Sequence, residues 1–305
     1  MSGDNAPPSL EGIDLPSLER SLRHPRTFIS AALTGMTGIA AFLACVPLFS
    51  VLFMLIYRGG KALSWKSFVE LPPTAFETGG GFGNAIVGTL VMVGIAALLA
   101  VPFGILAAVF LALFGPESKL ASGVRFCAKT LSGFPSILAG VFAFAAVVMT
   151  TGTKSAPAGG VALAILMLPI VMLTAEEAMK MVPQKMKEAA FGMGCTQSQV
   201  VIKIVLPTAF PGILTGVMLS VARAAGETAP LLFTALFSNY WIVQDGKVDL
   251  MKPTASLAVL IYNFSYGSPY ENQNQMAWAA ALVLVFLVLT VNIMAQFFSK
   301  KQIKA

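Results

Sequence analysis

Uncharged apolar runs separated by polar connections repeat along most of this chain. A polar, proline-bearing segment of residues 1–26 ends in Arg20, Arg23, His24 and Arg26, and the run from Thr27 to Tyr57 that follows carries no charge. Further uncharged runs extend from Asn84 to Phe114, from Leu131 to Thr153 and from Ala156 to Ala175. A fifth, Thr208 to Phe237, is broken by two charges, and a sixth reaches from Met276 to Ser299. A helix needs about 20 residues to cross a hydrocarbon layer, and a spanning helix satisfies its backbone polar groups internally. The pattern therefore predicts an all-α membrane protein with six transmembrane helices. The first run is too long for the core of a signal peptide, and no small-residue cleavage site closes it, so it is expected to remain as a span.

Composition and charge support this class and fix an orientation. Hydrophobic residues make up 56% of the 305 and charged ones 11%, against about 25% charged in soluble domains. The net charge of +6 could suggest nucleic acid, but the basic residues sit between apolar blocks rather than on one face. If the N-terminus is cytoplasmic, thirteen of the 20 Lys and Arg fall in inner segments, six fall in outer ones and Arg223 lies within a span. That excess follows the positive-inside rule and puts both termini in the cytoplasm. The chain divides into a polar tail (1–26), a six-span domain (27–299) and a basic C-terminus (300–305). Cys45, Cys127 and Cys195 build no disulfide framework or zinc spacing and are expected to be packing residues. The single histidine, His24, lies in the tail, and no metal-ligand cluster is present to suggest an intramembrane enzyme.

Between the fourth and fifth runs, at about residues 176–207, a polar elbow stands where a short loop would suffice. Pro183 suits the first turn of a helix, which would carry Glu188, Ala189 and Ala190 and stop at Gly192 or Gly194. Thr196 followed by Gln199 predicts a capping box for a second helix, and Pro207 is expected to end it. Val200, Val201, Ile204 and Val205 recur at helical spacing, giving that helix an apolar face fit for a groove in a partner.

The two charges in the fifth run are Arg223 and Glu227, four residues apart and so on one helix face. Arg223 is about 22 Å along a helix starting at Thr208, near mid-membrane, where a charge costs at least about 2.5–3.5 kcal/mol and by default marks a pathway. Gly226 and Pro230 flank Glu227 and predict a kink there. A self-satisfied pair that fixes helix packing is one reading. The other is a guanidinium fork offered to a tetrahedral oxyanion. Glu227 would then hold Arg223 while the path is empty, or accept a proton-bearing oxygen, which phosphate has at neutral pH and sulfate lacks.

The stretch Glu188 to Pro207 fits EAA-x3-G-x9-I-x-L-P at Glu188, Ala189, Ala190, Gly194, Ile204, Leu206 and Pro207. It resembles the cytoplasmic loop of bacterial ABC importer permeases, where the loop docks the ATP-hydrolysing subunit. RAAGETAPLLFTA, from Arg223 to Ala235, and NAIVGTL, from Asn84 to Leu90, are similar to the phosphate-specific members, the PstA type more than its PstC-type partner. The resemblance implies a type I ABC importer permease fold whose elbow is a cytoplasmic two-helix coupling loop. It also implies a second, PstC-type permease subunit, an ATPase dimer and an extracytoplasmic phosphate-binding protein, all in a bacterial inner membrane. It places Arg223 and Glu227 on the phosphate path. ATP and Mg are expected on the partner ATPase, with no cofactor or metal in this chain, which lacks a G-x-x-x-x-G-K-[ST] loop. The implied partners are membrane lipid and protein, not nucleic acid. A permease of the same architecture for sulfate, molybdate or phosphonate is the alternative.

Two outer segments are long, Arg58 to Gly83 and Ser238 to Gln275. The second holds an apolar piece, Pro253 to Phe264, too short to span, with Trp241, Tyr262, Tyr266 and Tyr270 around it. It reads either as a loop packed on the bundle or as a landing surface for an extracytoplasmic binding protein.

Overall fold

The computed structural model describes residues 25–303, apart from 75, 76, 78, 245 and 267. Most of the N-terminal tail, with Arg20, Arg23 and His24, lies outside the described residues. The chain divides into two compact units, residues 1–54 and 55–305. In the first, helix α1 (Pro25–Met54) is apolar around its circumference, and Phe28, Met36, Phe42 and Phe49 are exposed. Such a helix suits lipid or another membrane helix.

In the second unit, α2 (Gly83–Phe114), α5 (Ala156–Lys180) and α10 (Glu271–Ile303) are long and apolar enough to span. So is α7 (Gln197–Ala225). The most enclosed is α5, which packs against α2 and α7. Lipid tails supply little force to drive helices together, so close approach through small residues matters. Gly160 of α5 lies against Ile95, Gly104 of α2 against Val171, and Gly216 of α7 against Thr174. Ala96 and Ala100 are buried in the same seam.

The third run departs from expectation. Leu131 to Thr153 is not one helix: α3 (Lys119–Ser132) and α4 (Ser136–Thr151) meet at a bend of 105°. The residue before a proline is pushed out of helical geometry, and Pro135 follows Phe134 at the bend. With Lys119, Arg125 and Lys129 along it, α3 cannot cross a bilayer. Among the described residues five helices are long and apolar enough to span, and six if the bent pair counts as one span.

The fifth run also differs, at both ends. Pro207 does not terminate the second elbow helix, which runs on as α7. A π-helical turn, Val201–Val205, precedes Leu206 and Pro207 and takes up the misfit of the proline ring and its missing N–H. At the other end α7 stops at Ala225, and the chain re-enters as a short helix, α8 (Ala229–Thr234). Rather than a kink, this is a break.

The apolar piece of the segment Ser238 to Gln275 forms α9 (Leu257–Tyr266), with Leu257, Val259 and Leu260 fully buried against the bundle. The same segment also contains a two-residue antiparallel strand pair, Val243–Gln244 with Lys247–Val248. Of the cysteines, only Cys195 packs against the core, whereas Cys45 and Cys127 are exposed.

Candidate functional site

Arg223 sits in the last turn of α7, because that helix ends at Ala225 rather than running on through the fifth apolar run. Gly226 caps α7, its N–H donating to Arg223 O, and Glu227 N donates to Ala224 O. This turn swings the Glu227 carboxylate back beside the guanidinium, with Nε and Oε1 3.4 Å apart. The contact is loose for a charged pair, whose N···O distance is usually about 2.7–2.9 Å. The Arg223 side chain is 46% exposed and that of Glu227 16%. Among the described residues the guanidinium makes this contact alone and is half-exposed, while the carboxylate is more covered. A charged fork on an open face of a membrane helix needs water, a ligand or a second protein surface.

The short helix behind the pair is rigidly seated. A Cβ added at Gly140 of α4 would meet Pro230 Cα at 2.6 Å, so α8 lies directly on the α4 backbone. Ser155 N donates to Thr234 O and Thr254 N to Ala235 O, which satisfies the carbonyls at the end of α8. Leu236 turns the chain away with φ 62, a left-handed conformation rare for a branched residue. The Asn84–Leu90 motif holds the loop beyond. Asn84 Nδ2 donates to Ser238 O and Tyr240 O, Thr89 Oγ1 accepts from Leu257 N, and Gly88 leaves room for Ala255 O. The same loop lines a cavity of about 380 Å³ with Tyr240, Trp241, Asp249 and Lys252. Lys252 and the Met251 N–H hold the Asp249 carboxyl below its ordinary value.

The elbow forms as two helices. Pro183 precedes α6 (Gln184–Gly192), Gly194 takes φ +81, and the Thr196–Gln199 capping box is complete. Its motif residues divide by role. Ala190 is buried with Val182, Val200 and Val205, which pins the elbow to the bundle. Ile204 and Leu206 pack against the same cluster. Glu188, Ala189, Gly194 and Pro207 are exposed. The apolar face predicted for a partner's groove belongs mostly to this chain's own core, since Val200, Val201 and Val205 are buried. The apolar groups left open are instead Met186, Phe191, Met193 and Ile202.

Sequence reasoning missed one group altogether. Glu176 and Glu177 belong to α5, which continues past Ala175, so Arg223 and Glu227 are not the only charges in the long apolar helices. Glu176 is 1% exposed, the one fully buried charged side chain among the described residues. Its Oε1 lies 2.7 Å from both Arg125 Nε and Lys180 Nζ. Arg125 also donates to Pro116 O and Leu111 O, each at 2.8 Å. A signal was available: an arginine on a helix that cannot span, and a glutamate one residue beyond an apolar run.

Residues 100–304 match the binding-protein-dependent transport system inner membrane component family, and the chain belongs to that family. It is a membrane permease subunit of the ABC importer class. The phosphate transport system permease protein PstA of Pasteurella multocida is 38% identical over 281 residues, covering 92% of this chain and 98% of the relative. The protein of the same name from Yersinia pestis is 39% identical, covering 83% of this chain and 84% of the relative. In fold, the chain is similar to one from a crystal structure of a bacterial alginate ABC transporter in complex with an alginate pentasaccharide-bound periplasmic protein. The TM-score is 0.60 at 15% identity, with 92% of this chain and 98% of the other covered.

Proposed function

We propose that this chain is the permease subunit of an ATP-driven importer of inorganic phosphate and forms half of the translocation path. Supporting the substrate are relatives such as those from Pasteurella multocida and Yersinia pestis, each named a phosphate transport system permease. The observation that carries the mechanism is the half-open Arg223–Glu227 pair at the break after α7. A guanidinium with free donors neutralises a passing oxyanion without enclosing it, so the ion can also leave. Glu227, on the covered side, retains Arg223 between passages and accepts a hydrogen bond from a protonated phosphate oxygen.

The exposed side of Arg223 faces a second, PstC-type permease subunit across the path. The elbow, through Glu188, Ala189 and Gly194, docks on a dimeric ATPase subunit that binds ATP and Mg, so the elbow and both termini are cytoplasmic. This chain itself hydrolyses no ATP. An extracytoplasmic phosphate-binding protein delivers the ion to the outer loops. ATP-driven closure of the ATPase dimer displaces the elbow and opens the path alternately to the two sides.

Uptake of radiolabelled phosphate and sulfate by cells carrying Arg223→Gln and Glu227→Gln variants tests the reading. Arg223→Gln is expected to abolish phosphate uptake, and Glu227→Gln to weaken discrimination against sulfate. Unchanged phosphate uptake in Arg223→Gln would overturn the proposal. Preferential uptake of sulfate by the wild type would assign the chain to another oxyanion.

A further inference from the structure

The buried carboxylate of Glu176 has no part in the mechanism above, yet it stands at the root of the elbow, four residues before Lys180, where α5 ends. We infer that the Arg125–Glu176–Lys180 cluster is the joint that carries displacement of the elbow into the part of the molecule holding Arg223 and Glu227. Arg125 and Glu176 then act as positioning residues for transport. This inference rests on the proposed role of the elbow as the motor's grip.

Side-chain contacts and chain connectivity together link the elbow to the charged pair. Gln197, the first residue of α7, donates from Nε2 to Leu113 O at 2.9 Å. Leu113 and Leu111 belong to the π-helical turn Phe110–Phe114, whose end leaves carbonyls without helical partners. Arg125 Nη2 takes Leu111 O, Nη1 takes Pro116 O and Nε takes Glu176. One planar guanidinium therefore fastens the end of α2, the following turn and α5 to α3. Beyond the 105° bend, α4 carries Gly140 against Pro230, with no space between for slip. Glu227 lies three residues before Pro230 in the chain. Motion of the elbow that carries the end of α5 relative to α2 therefore either breaks the fan of hydrogen bonds at Arg125 or swings α3 with it.

Energetics favour a joint over simple glue. Burying the Glu176 carboxylate with a partly covered arginine brings desolvation costs that an apolar pair of similar volume avoids, so such a cluster is weak as a source of stability alone. What it provides is direction, because the fork fixes the angle between segments and an apolar contact does not. A π turn at the same place is a common mark of functional sites.

The test uses the whole transporter, purified through this chain and reconstituted in phospholipid vesicles, with ATP hydrolysis and uptake of labelled inorganic phosphate measured together. A double variant, Arg125→Met with Glu176→Leu, replaces the ionic pair by an apolar one. It is expected to assemble and to hydrolyse ATP within about twofold of wild type, while phosphate moved per ATP falls about tenfold. A phosphate-to-ATP ratio equal to wild type would show that the cluster only packs, and would overturn the inference. Arg125→Lys keeps the charge beside Glu176 but cannot reach both carbonyls. It is expected to lower the same ratio severalfold, and an unchanged ratio in this variant overturns the inference even if the double variant fails to assemble. In Arg223→Gln, persistent phosphate uptake would sink the proposed function instead, so the two failures are distinguishable.

Discussion

Two arginines in this chain stand beside a glutamate, and they are held in opposite ways. Arg125 spends Nε, Nη1 and Nη2 on three partners at 2.7–2.8 Å around a carboxylate sealed from solvent. Arg223 touches its glutamate at one nitrogen, at 3.4 Å, with its side chain 46% exposed. Only the second can take a ligand without losing the contacts that hold the fold. The difference teaches that burying a charge is not by itself the sign of a substrate site.

The comparison breaks first at Glu176. Glu176→Gln removes the buried charge that Arg125 and Lys180 share and is expected to cost about 1–3 kcal/mol, read as a lowered midpoint of thermal unfolding in detergent. Stability equal to wild type would mean that the cluster is not the structural pole of the contrast. Arg223→Gln is expected to do the reverse: unfolding stays within the error of wild type while phosphate uptake falls on the order of a hundredfold.

Gly194→Val comes next. With φ +81 at this position, a β-branched residue costs about 1–2 kcal/mol and distorts the exposed turn, so less ATPase subunit should co-purify with the chain. Wild-type recovery of the ATPase would place the docking contact elsewhere. A smaller change is expected from Glu227→Gln, about threefold to tenfold in the preference for phosphate over sulfate, checked by competition uptake.

Smallest is the effect of mild acid on the outer loops. The Asp249 carboxyl, held low by Lys252 and the Met251 N–H, lies outside the membrane-spanning helices. Its pKa is depressed in the folded chain, so its contribution is present above the ordinary carboxylate range and is lost as pH falls through the folded value. Between about pH 5 and 8 the outer loop should therefore hold its structure, measurable as constant tryptophan fluorescence from Trp241. A transition within that window would contradict this assignment.

Much of this was legible in the sequence because a membrane enforces simple rules. Uncharged runs long enough to span give helices, so α2 agrees with its run almost residue for residue, Gly83–Phe114 against Asn84 to Phe114. The capping box at Thr196 and Gln199 and the left-handed glycine at position 194 are local chemistry, and they formed as expected. Errors arose where neighbours overrode local signals. Pro207 reads as a stop, but a π turn upstream let the helix continue. Leu131 to Thr153 reads as one span, but Pro135 and the basic face of α3 bend it.

The order of residues by itself determined the helical class, the spans, the elbow and the presence of a charge pair four residues apart, because these depend on backbone periodicity and transfer from water to lipid. Which arginine is free and which is bound was decided only by tertiary structure. Arg125 and Glu176 are 51 positions apart, and no local pattern reports that two side chains so distant in sequence will neutralise each other inside a closed site.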